Sequence, residues 1–133
     1  MGQARAKGDA ISRVLALLVA AIGLAISAYV EFAMTSAAAQ DRFGWFIYEA
    51  GAWLLLLFVG PFLPVGRTVL VGAVFALALE VFAFYRVFVL APAGDDAAAI
   101  YLWKPLAQLA LIAAAWLAGY LTYLRAQRER AHG

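Results

Sequence analysis

The chain has 133 residues, 67% of them hydrophobic and 14% charged, with a formal net charge of +2 and a mean hydropathy of +0.89. A water-soluble domain carries about 25% charged residues, so too few polar side chains are present to cover a surface that faces water. There is no cysteine, and the one histidine is His132, which excludes disulfides, iron–sulfur clusters, thiolate or imidazole metal sites inside the fold, and a cysteine nucleophile.

Residues 1–13 form a basic tail with Arg5, Lys7 and Arg13. The first apolar run follows at 14–38, and three more occupy 44–65, 68–90 and 98–124. Each supplies the roughly 20 apolar residues that a helix needs to cross a bilayer. Backbone groups in hydrocarbon must pair within their own segment, so runs of this length are helices and not barrel strands. The first run ends in "TSAAAQ", which has the form of a signal-peptide cleavage site after Ala39. The stretch before it is longer than the usual ~7–15-residue core of a signal peptide, and Glu31 interrupts it, so retention as a span is expected. "MGQARA" lacks the Ser or Thr at position 6 that myristoylation requires.

The second run ends at "GPFLPVGR", Gly60–Arg67, where Pro61 and Pro64 break helical hydrogen bonding and Gly66 permits a turn. "APAGDD" at Ala91–Asp96 closes the third run in the same way. In the fourth run Pro105 either kinks the span or marks its first turn with Ala98–Trp103 lying at the interface, and the second reading is favoured. A basic tail, 125–133, carries Arg125, Arg128 and Arg130. The expected fold is all-α: one polytopic membrane domain, a four-helix transmembrane bundle with short loops.

The charges orient it. Seven Lys and Arg residues flank the spans on the side of the two tails and Arg67, against Arg42 on the other. By the positive-inside rule both termini are cytoplasmic in a cell (inner) membrane. Tyr29, Trp45, Tyr48, Tyr85, Tyr101 and Trp103 then gather near the outer interface, and Trp116, Tyr120 and Tyr123 near the inner one.

Ionisable residues inside such spans are rare and mark functional candidates. Here they are Glu31, Glu49, Glu80, Arg86 and Lys104, all in the outer half, with Gln108 one turn beyond Lys104. Arg86, Lys104 and Glu49 lie near enough to the boundary to reach water. Glu80 and Arg86 are six residues apart, about 120° around the helix, and are poor partners. If Arg86 and Lys104 each neutralise one glutamate, one carboxyl group is left over. The expectation is that Glu80 remains neutral, as a hydrogen-bonding or proton-exchanging group. Ala20, Gly23, Ser27, Glu31 and Thr35 form a small and polar stripe on the first span, and Lys104, Gln108, Ala115 and Gly119 form another on the fourth. Small residues permit close helix approach, so Gly23, Ser27 and Gly119 are expected at helix contacts.

The segment Glu80-Val-Phe-Ala-Phe-Tyr85, with Glu49 in the preceding span, resembles VanZ-like small membrane proteins, although the histidine of their second span is missing. A membrane glutamate in a four-span chain also resembles the small multidrug-resistance transporters, in which that residue lies in the first span. Neither resemblance extends over enough of the chain to assign a family.

Three functions fit the sequence. The first is a non-enzymatic accessory or interaction subunit that binds partner helices or lipid through the outer polar cluster. The second is an oligomeric proton-coupled small-solute transporter or channel using Glu80 or Glu31. The third, an enzyme acting on lipid, lacks any visible nucleophile, metal set or substrate anchor. The inner half carries no continuous polar path, which favours the first. The expected partners are the lipid bilayer and a homo-oligomer or larger membrane complex. No cofactor, metal or nucleic acid is expected.

Overall fold

The computed structural model describes residues 2–34, 39–87 and 96–132. Every regular element among them is helical: α1 Gly2–Tyr29, continued by a π-helical turn Val30–Met34; α2 Ala39–Glu49; α3 Gly51–Val59, followed by a 3-10 turn Gly60–Phe62; α4 Gly66–Tyr85; and α5 Asp96–His132. Three helices are long and apolar enough to cross a membrane, Lys7–Phe32, Gly66–Tyr85 and Ile100–His132. The pair Phe43–Glu49 and Gly51–Phe62 provides a fourth if its two bent parts count as one span.

Two expectations require correction. The second run is not one straight helix but two, bent by 61° at Ala50, whose backbone sits at φ −90° and ψ 0°. Pro105 does not begin a helix; it lies inside α5. A proline there removes one backbone donor and pushes against the preceding turn. The Tyr48 hydroxyl donates to the carbonyl of Leu102 at 2.7 Å, three residues before the proline. The flanking basic segments are also helical, since α1 begins at Gly2 and α5 runs through to His132. The turn at "APAGDD" and most of "TSAAAQ" lie outside the described residues.

α4 is the central element, packed against both α1 and α5, with α3 lying on α1. Its buried face is Val69, Gly72, Ala73, Ala76, Glu80 and Ala83, spaced by three or four residues so that one stripe faces inward. The core joins Ala16 and Ala20 of α1, Ala52, Trp53 and Leu56 of α3, Val69, Ala73 and Ala76 of α4, and Ile112 of α5. Alanines predominate, so the helix backbones approach closely and dispersion contacts form over their full length. Large apolar side chains point outward instead, Phe58 at 72% and Phe62 at 85% exposure among them.

At the end of the bundle that carries the 60–66 turn, α1 clasps the connection between α3 and α4. Arg13 donates to the carbonyl of Pro61 at 2.6 Å, to that of Leu63, and to Asp9 at 2.8 Å. Asp9 Oδ1 in turn accepts the Gly66 N–H at 2.5 Å. That N–H opens α4 and has no partner within the helix, so a carboxylate from another helix caps it. A Cβ at Gly66 would lie 2.6 Å from the Asp9 carbonyl oxygen, which explains the glycine.

Candidate functional site

The opposite half of the bundle holds the polar cluster. Glu80 enters it because it continues the inward stripe of α4, one turn beyond Ala76. It is 1% exposed. Its Oε1 accepts the Ser27 hydroxyl of α1 at 2.5 Å and the indole N–H of Trp53 in α3 at 3.2 Å. Its Oε2 accepts the Lys104 ammonium of α5. One carboxylate therefore ties three helices to its own.

Lys104 is 3% exposed and serves two carboxylates. Besides Glu80, its Nζ lies 3.1 Å from Glu49 Oε2, an ion-pair distance without hydrogen-bond geometry. The ammonium also stands 5.2 Å from the centroid of the Tyr101 ring, within cation–π range. Glu49 is the last residue of α2, immediately before the bend at Ala50. Glu31 is buried in the π-helical turn and lies within electrostatic reach of Glu49. Gln108, fully buried, donates to the carbonyl of Ala76 at 2.9 Å. Lys104–Glu80 and Gln108–Ala76 are each offset by one helical turn, so the two contacts fix the register of α5 on α4.

Each of these charged residues but Glu80 sits at a departure from regular helix. Glu31 lies in a π turn, Glu49 at a 61° bend, and Lys104 directly before an internal proline. Such irregularities free backbone groups and re-aim side chains, and in helices they concentrate at functional positions.

The structure thus brings together Glu31, Glu49, Glu80, Lys104 and Gln108, and leaves Arg86 out. Arg86 is exposed at the end of α4 and takes no part in the cluster. One lysine stands between two of the glutamates. Glu80 is correspondingly not isolated from charge: a cation from another helix lies against it.

The packing residues also acquire finer roles. A Cβ at Gly23 would overlap the Trp53 indole, so Gly23 makes room for the ring that donates to Glu80. Ser27 is a buried hydrogen-bond donor as well as a small residue at a helix contact. A Cβ at Gly119 would overlap the Thr68 side chain, where α5 meets the start of α4. Sequence reasoning missed Trp53. Its signal was a single indole within the otherwise aliphatic "GAWLLLLF", one that needs a partner once buried.

Two grooves on the outside of the fold are lined by none of the cluster's side chains. One is lined by Ile22, Ala25, Ile26, Tyr29, Val81 and Phe84, and another lies between the 63–68 segment and Ala113–Tyr120. Among the described residues, no group of three or more His, Cys, Asp or Glu side chains is placed to hold a metal ion. Comparisons with known protein families, with curated proteins and with solved structures give no match for this chain.

Proposed function

We propose that the chain is a small multi-pass protein of the cell (inner) membrane, with both termini cytoplasmic, and that it acts as a non-enzymatic accessory or interaction subunit. Its apolar exterior supports the membrane reading, because a surface of exposed Phe, Leu, Ile and Val is stable against lipid and not against water. The observation that carries the functional reading is the buried, ion-paired cluster. Lys104 is enclosed between Glu49 and Glu80, and Glu80 has partners on three other helices. Charges buried and paired in this manner fix how helices assemble. The outer faces of the bundle are then free to meet partner helices, a second copy of the chain, or lipid.

The orientation is tested with single cysteines at Gly94 and Gly133 and a membrane-impermeant thiol reagent on intact cells. Labelling at 94 and not at 133 is expected, and the reverse pattern refutes the topology. The subunit role is tested by purification in mild detergent. A discrete complex with other membrane proteins is expected, whereas a monodisperse homo-oligomer free of partners overturns it.

A second reading has an observation of its own. The charged residues lie at a π turn, a bend and an internal proline, and discontinuous helices near charged side chains are how many transporters build ion and substrate sites. On that reading an oligomer exchanges protons through Glu80 or Glu31. Proton flux in proteoliposomes that is abolished by Glu80→Gln would establish it, and a partner complex that assembles normally around Glu80→Gln would favour the subunit role.

A further inference from the structure

The last two turns of α5 carry a feature that the polar cluster does not use. Arg125 and Arg128 are three residues apart, so they rise from one side of the helix with Cβ atoms about 5–6 Å apart. Both are exposed, and among the described residues no carboxylate lies within ion-pairing distance of either, although Glu129 is only one turn beyond Arg125. Together with Thr122 they form the polar part of a surface groove, whose apolar part is Ala118, Leu121 and Leu124. The Thr122 hydroxyl is committed to the Ala118 carbonyl at 2.8 Å, so the guanidinium groups supply the groove's free donors.

We propose that this groove binds an anionic phospholipid, with the phosphate on Arg125 and Arg128 and an acyl chain along Leu121 and Ala118. This rests on the membrane reading and its orientation. From residue 118 to residue 128 the helix rises about 15 Å, and over that distance the groove passes from apolar to cationic. A phospholipid changes from chain to phosphate in the same direction and over a similar length. Guanidinium groups match phosphate oxygens with paired N–H donors, which a point charge does not. Anionic lipids of the cytoplasmic leaflet attract basic residues beside a spanning helix, and here the two arginines stand where the apolar stretch of α5 ends at Leu124.

The test uses the full chain reconstituted into vesicles of equal parts phosphatidylglycerol and phosphatidylcholine, followed by detergent extraction and native mass spectrometry of retained lipid. The wild-type protein should retain phosphatidylglycerol in preference by on the order of tenfold. Arg125→Gln/Arg128→Gln should lose that preference while still floating with the vesicles, and Arg86→Gln should keep it. Equal retention of both lipids by the wild type, or a preference unchanged in the double variant, overturns the proposal. Loss of the preference when inorganic phosphate is added would also overturn it, by identifying a soluble anion as the occupant. A protein that fails to float with vesicles refutes the membrane reading, and the flotation step separates that failure from the failure of the lipid site.

Discussion

At one end of the bundle Asp9 and Arg13 hold the turn between α3 and α4; toward the other, Glu49, Lys104 and Glu80 join α2, α5 and α4. Both use carboxylate and cation, but their partners differ. The Asp9–Arg13 pair is part-exposed and directs most of its hydrogen bonds to backbone groups of the turn. The Lys104 cluster is buried and consists mainly of side chains bonding to side chains. The first therefore holds a local chain conformation that water could partly replace. The second sets the rotation of whole helices, and nothing outside the protein can substitute for a missing member.

The largest expected effect follows from that difference. Lys104→Met leaves two buried carboxylates without the ammonium that faces both, and breaking a buried pair by removing one partner costs about 3–5 kcal/mol. Thermal unfolding in detergent should show it as a marked loss of stability. Adding Glu49→Gln and Glu80→Gln to the same chain should recover much of that loss. A Lys104→Met protein as stable as wild type would place the two ends of the bundle on an equal footing.

Gly23→Leu should come next, at roughly 1–3 kcal/mol, because the new side chain must displace the Trp53 indole. Indole fluorescence distinguishes displacement from simple loss of fold: Trp53 should shift its emission even where the protein remains folded. Unaltered stability and emission would mean that α1 and α3 separate more readily than their contact implies.

At the turn, Asp9→Ala removes the carboxylate that caps α4 and should cost about 0.5–2 kcal/mol, the range for loss of a helix cap. Hydrogen exchange should rise first at the Gly66 amide and the first turn of α4, with the Lys104 region protected as before. Exchange that rises equally at both ends would show that the two regions open together.

How far the sequence reveals this arrangement depends on which question is asked. Composition and run length identify the helices, because hydrophobicity sums over many residues and tolerates local error. The i and i+4 spacing of Lys104 and Gln108 places them on one face of α5, and the structure buries both. What spacing within single helices does not contain is the rotation of one helix against another. That rotation decides that Lys104, and not Arg86, meets Glu80. The bend at Ala50 was equally hidden, since "EAGAW" carries no proline and its glycine lies within an apolar run. Pro105 misled in the opposite sense: a proline usually marks a helix start, but α5 continues through it.

Arg86 supplies the smallest effect. It and Lys104 are both cations in the same half of the bundle, and sequence gives each an equal claim on the carboxylates. In the fold Lys104 is buried between two of them, while Arg86 is exposed at the end of α4. A guanidinium at the end of a span, within reach of water, contributes little to folding, so Arg86→Gln should change stability by no more than about 0.5 kcal/mol. Replacing Lys104 in the same background should cost as much as it does in the wild-type chain, since sites that share no partner add independently. The double-mutant cycle measured by thermal unfolding decides the matter. A coupling well above 0.5 kcal/mol would mean that Arg86 acts on the buried carboxylates after all, and that the cluster extends to the surface of α4.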